Sequence, residues 1–321
     1  MKTCRAPGFS LIELVVVVAI VGLLSTFVLS ALQASRERAR RAQCEMQSRQ
    51  LAQGIQNYVS TFQHMPPGYL GPIPPKAVSR NGRMIDRDNQ QIGYIAFLLP
   101  YIEETTIYST IGKDMLKIHS EPHLQFWVVN GDTWKAANND ISILQCPSAP
   151  AERPTDSVLL FLNAYHDEAV GKTLLESAPL VMSLAGDLGR TNYLGCGGPT
   201  GRLGIPAMDR FLGALANRTT TRYQAITDGS SKTLLIGEAA GEHQGGLLRR
   251  AYSWMGCGSM PVGFGFGNHD TWGNFSSFHP NVVGFSFADG SVHFVSTSID
   301  EAVLHALAAI HDDEPAALVL E

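Results

Sequence analysis

"APGFSLIELVVVVAIVGLLSTFVLSALQ", residues 6–33, is apolar enough to cross a bilayer, yet it carries one carboxylate, Glu13, near its start. Residues 14–32 form an uncharged run of 19, close to the ~20 apolar residues a helix needs to span the hydrocarbon core. A cleaved secretory signal has a shorter apolar centre, about 7–15 residues. Leu29 and Leu32 also stand where cleavage after Ala31 or Ala34 would want a small residue. A retained span is therefore expected. Lys2 and Arg5 ahead of it favour a cytoplasmic N-terminus, whereas Arg36, Arg38, Arg40 and Arg41 behind it argue the other way. An acid at the centre of a membrane helix costs ~2.5–3.5 kcal/mol, less near an interface. Glu13 is thus either a carboxylate snorkelling to the headgroups or a functional group that needs a cationic partner.

The core of this stretch, "GFSLIELVVVVAIVGLL" (8–24), resembles the class III signal of type IV prepilins and type II secretion pseudopilins. In that family a short basic leader ends in glycine, and a membrane peptidase cuts behind it and methylates the new N-terminal phenylalanine. The resemblance implies that Gly8 ends the leader, that Phe9 becomes the N-methylated mature N-terminus and that Glu13 is the fifth mature residue. Glycine leaves the scissile bond unobstructed by a side chain. Glu13 would then pair with the Phe9 ammonium of a neighbouring subunit, which neutralises the acid and fixes subunit register. The partners implied are a prepilin peptidase, copies of the chain or other pilin-like subunits, and the inner membrane. The expected location is a single-pass inner-membrane protein with its C-terminal domain outside the cytoplasm, or the cell surface if a filament forms.

Working outward, Cys44, Ser48, Leu51, Ile55, Tyr58 and Phe62 recur at three- and four-residue steps, the spacing of one helix face. Pro66 and Pro67 should end the helix. The expected organisation is a leader (1–8), a transmembrane or assembly helix (9–32), the soluble half of the same helix (33–65) and a globular domain (66–321). The fold class is α+β and pilin-like, a long N-terminal transmembrane helix extending into a domain with antiparallel sheet. The 31 Gly and 17 Pro suit short strands and turns after residue 65. Formal net charge is −5, and losing Lys2 and Arg5 with the leader would leave 22 basic against 29 acidic side chains. Such a balance repels phosphate, so no nucleic-acid partner is expected.

Within the domain, "IGYIAFLLPYIEETTIYSTI" (92–111) reads as a helix interrupted near Pro100, and "ISILQCPS" (141–148) alternates and predicts a strand. "AITDGSSKTLLIGEA" (225–239) predicts a turn at Asp228-Gly229 and a strand behind it, and "RRAYSWMG" (249–256) predicts another strand. "VVGFSFADGSVHFVSTSID" (282–300) predicts a β-hairpin over 282–296, turning at Asp289-Gly290. A helix over 299–310 should follow, because Ser298 and Glu301 have capping-box spacing. His279 followed by nine residues and Asp289-Gly290 resembles the C-terminal signature of the bacterial group labelled domain of unknown function 1559. "LQCPS", "TNYLG" (191–195) and "ITDGSSKTLLIGE" are similar to that group as well. The resemblance implies a pilin-like helix packed on antiparallel sheet and brings no biochemical activity.

Other residues admit a functional and a plainer reading. His243, His269, His279 and His293 show no HxH, HExxH or CxxC spacing, so no metal centre is expected, and His279 is expected to bond the hairpin backbone. Some pseudopilins bind calcium, for which Asp228, Asp289 and Asp300 could offer oxygens, but loop spacing is absent and turn chemistry accounts for them. "GFGFGNHDTWGNF" (263–275) opens no helix and lacks a GKS/T ending. It reads as a loop with aromatics tucked inward, or as a patch for sugar or protein contact. Asn217 begins a glycosylation triplet of little meaning in a bacterial chain. With Cys4 in the leader, Cys44, Cys146, Cys196 and Cys257 remain in an oxidising compartment, and four cysteines allow three pairings. The pairing favoured is Cys44–Cys146, tying helix to sheet, with Cys196–Cys257, both flanked by glycines. No catalytic constellation emerges, so no enzyme and no cofactor are expected. The leading reading is a structural subunit of a pilus or pseudopilus for secretion, adhesion or display. The alternative is a binding module for glycans or envelope components that uses the helix only as an anchor.

Overall fold

Nothing in residues 11–62 interrupts a helix: the stretch lacks proline and holds glycine only at positions 22 and 54. The computed structural model describes residues 11–73, 79–80, 83–84, 89–118, 126–150 and 152–311, and it shows this stretch as a single helix, α1 (Leu11–Phe62). At 1.5 Å per residue, α1 is ~78 Å long. It stops ahead of the prolines, at Gln63, whose φ of 62° closes the last turn through its N–H to the Val59 carbonyl. The stripe of the second half is real. Cys44, Ser48, Leu51, Ala52, Ile55 and Tyr58 are buried, while Phe62 is half exposed. Residues 1–10, including Gly8 and Phe9, lie outside the described residues.

In chain order the head consists of β1 (Ser79–Arg80), β2 (Arg83–Met84), α2 (Ile95–Leu98), α3 (Thr105–Thr110), α4 (Gly131–Ala137), β3 (Ser157–Leu159), β4 (Asn163–Asp167) and β5 (Lys172–Glu176). There follow β6 (Pro179–Val181), α5 (Met182–Ala185), β7 (Arg190–Thr191), β8 (Tyr193–Cys196), α6 (Pro206–Asp209), β9 (Leu234–Glu238), β10 (Glu242–Gln244) and β11 (Leu247–Ser253). β12 (Ser259–Met260), β13 (Val282–Phe287), β14 (Val292–Ser296) and α7 (Glu301–Ala308) complete it. One sheet has the order β12-β8-β9-β13-β14, and another has β10-β11-β3-β6 with β7 also on β11. Pairing is antiparallel except for β11 with β3 and β12 with β8. The molecule is therefore an α+β protein, a long apolar helix leading into a head of antiparallel and mixed sheet.

α1 lies across β9, β13 and β14. The alternation of β13 explains why it can. Val283, Phe285 and Phe287 enter a core with Leu194, Leu234, Leu304 and Leu307. The small residues between them, Gly284 and Ser286, leave the other face open to the helix. Beneath α1 a second core joins Leu51, Ile55 and Tyr58 to Ile95, Trp127, Leu215 and Trp254.

Two local expectations fail. Residues 141–148 form no strand; Ser142–Leu144 is a 3-10 turn that delivers Cys146 to α1. A short alternating run satisfies either geometry, and the following proline and cross-link decide it here. The last helix is capped by Asp300, whose carboxylate accepts from the Ala302 N–H at 2.9 Å, so it begins at Glu301 and ends at Ala308. Ser298 instead meets the Ser296 hydroxyl at 2.8 Å. A carboxylate side chain two residues nearer the first turn captured the cap.

Candidate functional site: a bare stem and the latch that holds it

Every side chain described in the first half of α1 is exposed. Leu11 is 80% exposed, and every large apolar side chain from Leu11 to Leu32 is left uncovered. Ser25 and Thr26 do not spoil this surface. Their hydroxyls donate to the Val21 and Leu23 carbonyls, each at 2.7 Å, so their polar groups are satisfied within the helix. The stem is long and apolar enough to cross a membrane. Glu13 sits in its first described turn.

Past the stem, steps of three and four residues bring Glu37, Arg41, Cys44 and Ser48 round to the head. Cys44 is disulfide-bonded to Cys146, with Cα atoms 5.4 Å apart. Asn192 holds Cys146 from the other side, its Oδ1 accepting the Cys146 N–H at 3.0 Å. The adjacent Tyr193 donates its hydroxyl to Gln47 Oε1 at 3.0 Å. The Arg41 guanidinium lies 3.9 Å above the Phe294 ring, a cation–π contact.

His279 closes the arrangement. Its ring is buried, and Nδ1 lies 2.8 Å from Glu37 Oε1 on α1. Since a carboxylate only accepts, Nδ1 carries the proton. Nε2 faces Glu238 Oε1 at 3.8 Å and Cys146 Sγ at 4.0 Å. Glu238 is itself fixed, because Oε2 accepts the Gly284 N–H at 3.0 Å. A Cβ at position 284 would fall 2.9 Å from the Glu238 carboxyl carbon, so any other residue there would have to push Glu238 out of place. Burial pushes the Glu37 carboxyl up, but hydrogen bonds from His279 and Arg40 outweigh it and hold the group below its ordinary value.

Four stretches that carried the family resemblance therefore meet at one seam: Cys146 of "LQCPS", Asn192 and Tyr193 of "TNYLG", Glu238 of "TLLIGE" and His279 of the signature. The signature itself is not one site. His279 precedes β13, whereas Asp289 and Gly290 follow it, at the far end of the strand. There Asp289 Oδ1 accepts from Ser291 N–H at 2.9 Å and from its hydroxyl at 2.6 Å, and Gly290 takes a φ of 86°. Both ends of β13 reach α1, where His279 meets Glu37 near the helix middle and the Gln56 amide donates to the Ala288 carbonyl. The expectation that His279 bonds the hairpin backbone is corrected, since its ring spans helix and sheet.

The Cys196–Cys257 pairing is also corrected. Both are free, buried thiols. Register places Met260, not Cys257, beside Cys196, and the Cys257 thiol donates to the Leu159 carbonyl at 3.2 Å. Their flanking glycines serve close strand approach: a Cβ on Gly195 would meet the Gly258 carbonyl at 2.7 Å. Burial pushes Cys196 up to about 12 and Cys257 higher still, so both stay protonated.

The remaining candidates pack into the head. His243 and His269 pack edge-on against each other and on Phe278, and burial lowers both. In the 263–275 loop, Phe275 is buried, Phe266 and Trp272 pack on the same core, and Phe264 stays partly exposed. Asn217 is buried, accepting the Gly71 N–H and donating to the Pro72 carbonyl, each at 2.9 Å. Sequence reasoning missed its neighbour Arg218. That residue is buried at a φ of 49°, and its guanidinium donates to the carbonyls of Gly71 at 2.6 Å and Ile118 at 2.7 Å. Burial lowers its pKa to about 10. Only the turn-prone "NR" pair hinted at it.

Comparison with known families gives two matches. The family described as "Protein of unknown function (DUF1559)" covers residues 33–259 and 262–302, and the prokaryotic N-terminal methylation motif covers residues 5–29. No curated protein and no solved structure was found to match. The chain belongs to the DUF1559 family and carries a prepilin-type N-terminus, which fits a membrane-anchored protein processed by prepilin peptidase.

Proposed function

We propose that this DUF1559 chain is a pilin-like structural subunit, cut after Gly8, methylated at Phe9 and assembled through its stem into a pilus or short pseudopilus. The observation that carries this reading is one unbroken helix. Its first half is bare and apolar, and its second half is fastened to the head. A bare apolar surface of that length must be covered by lipid or by other stems, and both are available to a subunit that moves from membrane to filament. Glu13 supports the reading further. In lipid its charge is tolerable when a cation meets it, and a methylated amine at Phe9 of a sister subunit would supply one. The head would face outward and the acidic balance would keep it soluble there.

The test is Glu13→Leu in the native host. The variant should insert into membranes at the wild-type level and fail to enter sheared filaments or cross-linked oligomers. Assembly equal to wild type would remove Glu13 from the mechanism. N-terminal sequencing of membrane-extracted protein should read N-methyl-Phe, then Ser-Leu-Ile-Glu; a chain beginning at Met1 would end the pilin-like reading.

A further inference from the structure

One cluster near the middle of α1 has a chemistry that the anchoring role does not use. Cys44, Cys146, Glu238 and His279 are all buried, and one ligand atom from each lies within 4.8 Å of the others. They come from four separate parts of the chain, so their convergence is a product of the fold. The donor set is two sulfurs, one imidazole nitrogen and one carboxylate oxygen, a combination that suits tetrahedral zinc.

The orientation of His279 sharpens this. With Nδ1–H given to Glu37, the ring turns its Nε2 lone pair toward Glu238 Oε1 and Cys146 Sγ. Three electron-rich atoms then face one another in a buried space, and a cation satisfies them together. The carboxylate behind the imidazole is the outer-shell arrangement that fixes the tautomer of a metal-bound histidine and raises its basicity. Glu238 is likewise pinned through its other oxygen by the Gly284 N–H. In the dithiol state a metal ion can serve as that cation.

We propose that the latch is a redox-gated zinc site: the Cys44–Cys146 disulfide and a Zn2+ ion held by Cys44, Cys146, His279 and Glu238 are alternative closures of the same seam. Conversion needs a dithiol reductant. The dithiol gives two electrons and two protons to the disulfide, becoming a disulfide itself, and leaves two cysteine thiols. Zn2+ then binds as both thiols release their protons to water. Reduction also lets the sulfurs separate to the ~3.8 Å that two Zn–S bonds of about 2.3 Å require in tetrahedral geometry. Access is provided at Cys146, which lines a cleft of about 470 Å³ with Gln43, Gln47, Arg190 and Phe278. Either closure ties α1 to the head, so the helix stays fastened when the covalent bond is lost.

The experiment uses the detergent-solubilised full chain, reduced with a non-chelating phosphine and titrated with Co2+ and then Zn2+. The expected result is one ion per chain, with tetrahedral Co2+ absorption bands and a sulfur-to-cobalt charge-transfer band, both bleached by Zn2+. The oxidised chain should bind at least tenfold more weakly. His279→Ala and Glu238→Gln each remove a direct ligand and should weaken binding by at least the roughly 10–100-fold that follows loss of an outer-shell partner. Cys196→Ala/Cys257→Ala should bind as wild type, which separates the site from the free thiols. Circular dichroism of each variant before titration identifies any that unfolds, and the charge-transfer band of the wild type reads the ligands without a variant. No ion in the reduced wild type would overturn the proposal, as would binding unaffected by His279→Ala or binding lost in the Cys196/Cys257 variant.

Discussion

Leu24 and Leu51 belong to the same helix and the same residue type, yet Leu24 is 58% exposed and Leu51 is fully buried. The first 22 residues of α1 present an apolar surface all round, and the last 20 present a stripe. Membrane insertion demands the former, because lipid surrounds a helix on every side. Packing on a sheet demands the latter, because only one side meets a core. Between them lie the arginines and the latch, where neither lipid nor core dominates and charge, cross-link and hydrogen bonds take over. One element thus obeys two solvents, with a short polar collar marking the change.

The strongest test of this contrast is the cross-link. A disulfide closing a sequence separation of 102 residues restricts the unfolded chain, an effect of ~4–5 kcal/mol for a loop that size in the chain-entropy model. Chelator-treated Cys44→Ser/Cys146→Ser protein should unfold at clearly lower denaturant than wild type, while its membrane insertion is unchanged. Next, Leu51→Ala should destabilise the head by ~2–5 kcal/mol, read from denaturant midpoints of the detergent-solubilised protein. Leu24→Ala should leave that midpoint within error. Equal effects of the two would erase the distinction between the halves.

A smaller effect belongs to Glu37. Its carboxyl is held below the ordinary value of 4.5, so its stabilisation is present above that value and lost as pH falls through the folded-state pKa. His279, Arg40 and, beyond the imidazole, Glu238 are the charged or titratable groups around it. The melting temperature of oxidised wild type should fall more steeply on acidification than that of Glu37→Gln, and the two should converge at low pH. Smallest of all is the exposed Glu45–Arg49 pair, 2.8 Å apart on the outer face of α1. Arg49→Ala should cost about 0.3–0.5 kcal/mol, measurable only as a slight midpoint shift.

The two halves also differ in how plainly the sequence announces them. The stem is legible because its constraint is local: every residue must suit lipid, and Glu13 stands out against that background. The soluble stripe is legible for the same reason, through the spacing of Cys44, Ser48, Leu51, Ile55 and Tyr58. The hairpin is marked by its Asp-Gly turn. The latch is different. The Cys44–Cys146 pairing is expected from the sequence and found, and Asn192, Tyr193, Glu238 and His279 all lie in recognisable motifs, but nothing in those motifs says that these four gather around that bond or that His279 meets Glu37. That outcome depends on strand order and on a glycine at position 284. The glycines around Cys196 and Cys257 misled for a related reason, since they report how closely backbones approach and not which sulfurs bond.

The latch sits well below the top of a ~78 Å rod, with the whole head hung on its upper stretch. Any tilt of the stem is therefore amplified into a swing of the head, and tension on the head reaches the stem at Cys44, through a covalent tether, before the core contacts above it are stripped away. If the stem assembles as proposed, a pull on the head would cross into it at one covalent bond near the middle of the helix.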